Sequence, residues 1–184
     1  MSCIIGVVEK GQTYIGGDSA LSTSGTWEVR AIKLPKVFRI GKFIIGFTGS
    51  PRLGQLLRYY LEIHPQGDET DEAYIVQTVI EAARKIFKEH GFAKVEDNVE
   101  EGGNFLLGYK GRLWWVDYAF SLCELTDSFD ALGCGREYAL GAMRALENLP
   151  PRERILKALE IAEHFSGAVK RPFLVLVDPE ESEA

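Results

Sequence analysis

The chain has 184 residues, of which 46% are hydrophobic and 26% are charged, as is typical of one globular domain. A formal net charge of −6 argues against a nucleic-acid-binding protein, because such proteins carry a basic surface. The sequence contains no apolar run long enough to span a bilayer and no basic secretory signal at the N-terminus. We therefore expect a cytoplasmic protein without a membrane partner.

The first fifty residues predict strands paired as hairpins. Apolar runs at residues 4–8 and 13–17 flank a glycine-containing turn, the pattern of a β-hairpin. The small, polar residues 19–32 predict a loop with irregular or short strand structure. Residues 36–40 and 43–47 predict a second pair of strands around another glycine turn.

Helices and strands then alternate in groups. Ser50 and Pro51 are a favourable N-cap and first helical residue, and apolar residues recur at helical spacing after them. A second helix is predicted over 71–90, followed by an acidic loop over 94–103. The remaining predicted elements are strands at 104–109, 113–118 and 129–133, helices at 136–146 and 151–165, and a last strand at 173–177.

This order of elements predicts an α+β fold. Two pairs of helices can cover two separate sheet faces, so we expect a layered sandwich with two central antiparallel sheets. Residues 1–178 are predicted to form a single domain, and residues 179–184 an acidic tail. The histidines and the widely spaced cysteines show no metal-ligand spacing, so we expect no metal and no cofactor.

The N-terminus carries the sharpest chemical signal. Ser2 follows the initiator Met1, and a small second residue permits removal of that methionine. A free α-amino group has a pKa of about 7.7–8.0. Ser2 could then supply both a nucleophilic hydroxyl and the base that activates it.

Three other residues are expected at the same end of the sheet as Ser2. Asp18 ends the hairpin partner of the strand that Ser2 begins, and Lys36 heads the next strand. A lysine near Ser2 would lower the pKa of the hydroxyl and help to keep the α-amine neutral. Gly49 follows a buried strand and precedes a helix, so its N–H could stabilise an oxyanion.

The chain resembles proteasome β subunits and the bacterial proteasome-like peptidase. The resemblance rests on segments at residues 2–7, 15–19, 36–40, 45–50 and 132–146, which keep the family's order and span almost the whole chain. It implies the four-layer αββα sandwich of N-terminal-nucleophile hydrolases. It also implies that Ser2 takes the place of the family's N-terminal threonine.

The resemblance implies further site residues. Asp18, Lys36 and Gly49 match the family's aspartate, lysine and oxyanion-hole glycine, with Lys33 as a rival for the lysine. Cys134 stands where the family has a serine near the nucleophile's amine.

A segment near the C-terminus completes the implied site. Residues 163–167 resemble the family's Asp-x-x-Ser-Gly segment, so Glu163 and Ser166 would match. A shift of one residue would put His164 at the aspartate position instead.

The activity implied is hydrolysis of peptide bonds by a serine- or threonine-type peptidase. The resemblance further implies a peptide or unfolded-protein substrate, a homo-oligomeric ring and an unfoldase partner. The altered Ser2, Cys134 and Glu163 positions favour an alternative, a ring-forming or scaffold member of the superfamily that lacks activity.

Overall fold

The computed structural model describes residues 2–22 and 28–178. Its strands are β1 (Ile4–Glu9), β2 (Gln12–Gly17), β3 (Ala20–Ser22), β4 (Val29–Ala31), β5 (Val37–Ile40), β6 (Phe43–Phe47), β7 (Lys94–Glu96), β8 (Val99–Glu101), β9 (Phe105–Tyr109), β10 (Arg112–Val116), β11 (Leu122–Glu124), β12 (Phe129–Leu132) and β13 (Leu174–Val177). Its helices are α1 (Pro51–Tyr60), α2 (Asp71–Tyr74), which continues through a π-helical segment (Ile75–Ile80) into α3 (Glu81–Glu89), α4 (Arg136–Ala145) and α5 (Pro151–Phe165). Met1 and the predicted acidic tail lie outside the described residues.

Two antiparallel sheets form the centre of the molecule. One has four strands in the order β12-β1-β2-β13, and the other has five in the order β11-β10-β9-β6-β5. In the first sheet Ile4 pairs with both Gly17 and Leu132. That register brings Ser2, Asp18 and the turn after β12 to one end of the sandwich.

Each sheet is covered by helices on its outer face. Buried residues of α1 and of the segment from α2 to α3, such as Leu56 and Phe87, pack with Phe47 and Trp114 of the five-stranded sheet. Residues of α4 and α5 pack on the four-stranded sheet in the same way. The predicted four-layer αββα sandwich with two central antiparallel sheets is thereby confirmed.

The two sheets meet through a third apolar cluster. Successive side chains of a strand point to opposite faces of a sheet. The members of this cluster therefore point toward the other sheet, while their neighbours along the strand point toward the helices. The buried members are Ile4, Ile15, Val37, Ile44, Leu106, Leu113 and Leu132. Each such side chain stabilises the fold by about 1.5–3 kcal/mol relative to an exposed one, which fixes the sheets against each other beneath the Ser2 end.

The prediction of an acidic loop over residues 94–103 is wrong. Strands β7 and β8 form a separate hairpin there. Its turn residues Asp97 and Asn98 both have positive φ, 49° and 66°, the geometry of a two-residue type I′ turn that Asn and Asp tolerate. The short strand β11 at the edge of the five-stranded sheet was also not predicted.

Candidate active site

Asp18 and Lys36 form a buried ion pair at the Ser2 end of the sandwich. The Lys36 Nζ lies 2.8 Å from Asp18 Oδ1, and the two side chains are 5% and 0% exposed. Lys36 stands directly before β5, where its carbonyl accepts a hydrogen bond from the Phe47 N–H. Lys33, the rival candidate, is exposed, so the structure brings Lys36 to this place.

The Asp18 carboxylate is held by the backbone on both sides. Its Oδ1 also accepts from the Cys3 N–H at 2.9 Å. Its Oδ2 accepts from the N–H groups of Ala20 at 2.8 Å and Lys170 at 3.2 Å. One atom, Oδ1, thus connects the ammonium group of Lys36 to the peptide that follows Ser2.

Ser2 lies against the turn between β12 and α4. The Ser2 carbonyl accepts a hydrogen bond from the Gly135 N–H at 3.2 Å. Gly133 has φ +93°, and a Cβ there would lie 2.3 Å from the Ser2 carbonyl oxygen. Cys134 stands between these two glycines and is exposed. Ser2 itself is 1% exposed.

Gly49 lies at the same end of the molecule, two residues beyond Phe47. It has φ +84°, and a Cβ there would meet no atom within 4 Å. Its backbone therefore borders open space immediately before Ser50, whose side chain caps α1 by accepting from the Arg52 N–H.

Burial shifts the pKa values of the groups around Asp18. It lowers the pKa of Lys36 from its ordinary 10.5, although the nearby Asp18 carboxylate opposes this. Burial, with a contribution from the Asp18 charge, raises the pKa of the Cys3 thiol to about 12. The Cys3 thiol is therefore neutral at physiological pH and is a poor nucleophile.

Glu163 and His164 lie in the last turn of α5, and Ser166 begins the loop that follows beside this cluster. The Glu163 carboxylate accepts two hydrogen bonds of 2.8 Å from the backbone N–H and Nε of Arg171. The Ser166 Oγ accepts from the Ala168 N–H at 3.3 Å. His164 is exposed and packs edge-on against the Phe165 ring. The structure thus links Glu163 to the site through Arg171.

A cavity of about 850 Å³ lies at the opposite end of the five-stranded sheet. The turn between β5 and β6, the segment between α1 and α2, and the turn between β9 and β10 surround it. None of the predicted site residues lines it. Within residues 2–22 and 28–178, no group of three or more His, Cys, Asp or Glu residues could hold a metal ion.

Sequence reasoning missed the backbone N–H groups that hold Asp18 in place and the serine that binds the neighbouring loop. The N–H groups of Cys3, Ala20 and Lys170 carry no signature in a sequence, because every residue except proline has one. Ser19 donates from its Oγ to the Pro172 carbonyl at 2.6 Å. Its position next to Asp18 is the one signal that could have drawn attention to it.

No helix in the described part of the chain has the length and apolar character needed to cross a membrane.

No family model matches the sequence. Solved structures with a similar fold include BPH from Thiobacillus denitrificans and eukaryotic HslV from Trypanosoma brucei. BPH from Thiobacillus denitrificans has a TM-score of 0.81 at 23% identity, covering 99% of this chain and 100% of that one. Eukaryotic HslV from Trypanosoma brucei has a TM-score of 0.68 at 21% identity, covering 95% and 98%.

The sequence carries the relationship further. Over 161 residues it is 30% identical to the ATP-dependent protease subunit HslV of Caldicellulosiruptor saccharolyticus, covering 84% of this chain and 86% of that protein. Similarity of this extent, on the same fold, shows that the chain belongs to the HslV family of bacterial proteasome-like N-terminal-nucleophile hydrolases.

Proposed function

We propose that this protein is a peptidase that hydrolyses peptide bonds with Ser2 as its nucleophile, after removal of Met1. The observation that carries the proposal is the buried Asp18–Lys36 pair, because its Oδ1 is shared with the peptide that follows Ser2. A buried ion pair is expensive to desolvate and adds little net stability. Its retention beside a candidate nucleophile therefore favours a chemical role.

In the proposed reaction the Ser2 Oγ attacks the carbonyl carbon of the substrate, and its proton passes to the α-amine of the same residue. The carbonyl electrons move to oxygen, and the Gly49 N–H stabilises the resulting oxyanion. Breaking of the C–N bond releases the amine, which takes up the proton, and leaves an ester on Ser2. A water molecule activated by the α-amine then hydrolyses the ester.

Lys36, oriented by Asp18, would lower the pKa of the Ser2 hydroxyl through its positive charge. Two further residues would lie near the α-amine of Ser2. They are Cys134, in the exposed turn against Ser2, and Ser166, on the loop beside Asp18. We further propose that the protein acts within a homo-oligomeric ring on peptides or unfolded chains. The Caldicellulosiruptor relative is a subunit of an ATP-dependent protease, which supports an ATP-driven unfoldase as partner.

The test is an intact mass of the purified protein with and without epoxomicin, the ligand in a second Thiobacillus BPH structure. We expect a mass lacking Met1 that increases by one inhibitor molecule. Ser2→Ala is the matched control, since alanine also permits removal of Met1 but has no hydroxyl group. An adduct that persists in Ser2→Ala would contradict the role of Ser2.

The alternative is a ring-forming member of the family without peptidase activity. It is favoured by the residues that stand where the family has threonine, serine and aspartate, which here are Ser2, Cys134 and either Glu163 or His164. A retained Met1 and no adduct, in a protein that native mass spectrometry shows as an intact ring, would support this alternative and reject the peptidase.

A further inference from the structure

The loop of residues 166–172, here called the site loop, is bound to the turn that carries Asp18. The Lys170 N–H donates to Asp18 Oδ2 at 3.2 Å. Ser19 donates twice in return, from its N–H to the Lys170 carbonyl at 2.8 Å and from its Oγ to the Pro172 carbonyl at 2.6 Å. The orientation of the Asp18 carboxylate therefore depends on where the site loop lies.

Glu163, near the end of α5, holds the same loop from the other side. Its Oε1 accepts from the Arg171 N–H at 2.8 Å, and its Oε2 accepts from the Arg171 Nε at 2.8 Å. The Arg171 N–H and the Lys170 carbonyl belong to one planar peptide unit. That single plane therefore connects the Glu163 carboxylate to the Ser19 N–H, one residue from Asp18.

We infer that Glu163 is a positioning residue. Through the Lys170–Arg171 peptide it fixes the site loop, and the loop in turn holds the Asp18 carboxylate against Lys36. The inference rests on the proposed function for its effect on catalysis, but the chain of hydrogen bonds is independent of it. Glu163 acts through the loop, without contact with the reacting atoms.

The ionisation of Glu163 supports this role. Burial raises the pKa of its carboxyl, but the hydrogen bonds from the Arg171 N–H and guanidinium outweigh burial and lower it. The group is therefore ionised at neutral pH and can only accept hydrogen bonds, as both of its contacts require. The Arg171 side chain is 60% exposed, so we expect its own contribution to be screened by solvent.

Hydrogen–deuterium exchange of the full chain tests the inference without requiring activity. In Glu163→Ala we expect faster exchange at the amides of Cys3, Ala20 and Lys170. Glu163→Gln should stay close to the wild type, because its amide oxygen can still accept from the Arg171 N–H. Glu160→Ala is the matched control, since Glu160 lies on the same helix and pairs with Lys157 at 3.0 Å.

Peptidase kinetics give a second measurement. In Glu163→Ala we expect kcat to fall about 10- to 100-fold with little change in KM, since a small displacement of catalytic groups has effects of that order. Lys36 is faced by Asp18, Cys3 and Cys134. If the Asp18 carboxylate turns away, the pKa of Lys36 falls, so the alkaline limb of the pH–rate profile should move to lower pH.

Three results would overturn the inference. One is a folded Glu163→Ala protein with wild-type exchange at the three amides. Another is an alkaline limb that stays in place while kcat falls. The third is a loss of protection throughout the chain that Glu163→Gln does not rescue, which would show a purely structural role. A wild type without hydrolysis or adduct would reject the proposed function, and the exchange data would still decide the positioning role.

Discussion

Lys36 is a long cationic side chain in a nearly dry environment, and its position is set by one carboxylate oxygen. Asp18 Oδ1 accepts from its ammonium group and from the Cys3 N–H at once. Two consequences follow for single residues, one for stability and one for pH dependence.

Removing one partner of this pair should be more harmful than removing both. Asp18→Ala leaves the buried Lys36 ammonium without its carboxylate, and we expect a loss of about 3–5 kcal/mol in the free energy of unfolding. The double variant Asp18→Ala, Lys36→Met should lose less than Asp18→Ala alone, because it leaves no buried charge without a partner. Equilibrium urea unfolding of all four proteins measures this coupling, and strict additivity would contradict it.

The lowered pKa of Lys36 makes stability depend on pH. The ordinary pKa of 10.5 applies to the unfolded chain, and burial lowers the pKa in the folded state. Between these two values the unfolded chain binds more protons, so the free energy of unfolding should rise with pH in that window. Urea unfolding at a series of alkaline pH values should show this slope in the wild type, whereas Lys36→Met should lack it.

At this scale the sequence predicts that Asp18 and Lys36 lie together, as they do in the structure, whereas their role in catalysis stays a prediction. Asp18 and Lys36 were named from their positions at strand ends and from the family resemblance. The sequence leaves Lys33 as a rival of Lys36, because the loop before the lysine differs in length from that of the family. The partner of Glu163 could not be predicted, because Arg171 reaches it only through the path of the site loop.

Among the elements, the turn from β12 to α4 does the most to shape the Ser2 end. Gly133 adopts φ +93°, a conformation that a residue with a Cβ adopts only under strain, and a Cβ there would lie 2.3 Å from the Ser2 carbonyl oxygen. Two glycines around Cys134 let this turn close over Ser2.

Gly133→Ala should therefore destabilise the protein and displace Ser2. We expect a loss of about 1–3 kcal/mol from backbone strain alone, together with loss of the epoxomicin adduct. Gly141→Ala is the control, since a Cβ there meets no atom within 4 Å and a helical alanine gains about 0.5–1 kcal/mol over glycine. Equal stability of the two variants in urea would contradict the assigned role of the turn.

The elements that the sequence does not predict are those whose structure depends on only a few residues. The β7–β8 hairpin depends on the conformation of Asp97 and Asn98, and its exposed strands have no apolar alternation to reveal them. The helices and the central strands were predictable because their apolar periodicity extends over several turns or residues.

At the scale of the whole molecule, three apolar clusters separate four layers. The cluster between the sheets is buried from both sides, so it has little room to collapse around a deleted group. This makes it the part of the core most sensitive to truncation.

Ile44→Ala in that cluster should lower the free energy of unfolding by about 2–5 kcal/mol. Ile44 is 0% exposed, whereas Val95 on the β7–β8 hairpin is 73% exposed. Val95→Ala should change stability by less than about 0.5 kcal/mol. Thermal or urea unfolding of the two variants compares their stabilities directly. Similar losses in the free energy of unfolding would show that the two sheets do not share a core.

The order of strand and helix groups was enough to predict the four layers. It could not predict that the cavity of about 850 Å³ lies away from the candidate nucleophile. The walls of this cavity come from three separate segments that connect strands or helices. The register of the strands determines where these segments come together.

Asp178 follows β13 at the end of the sandwich far from Ser2, where its carboxylate accepts from the N–H groups of Thr13 and Gly111. This has a practical consequence for producing the protein. A purification tag added before Ser2 would place extra residues next to the turn between β12 and α4 and would block the α-amine that the proposed reaction requires. Since Asp178 lies at the opposite end of the sandwich from Ser2, affinity tags and surface attachment are better placed on the C-terminal side of the chain.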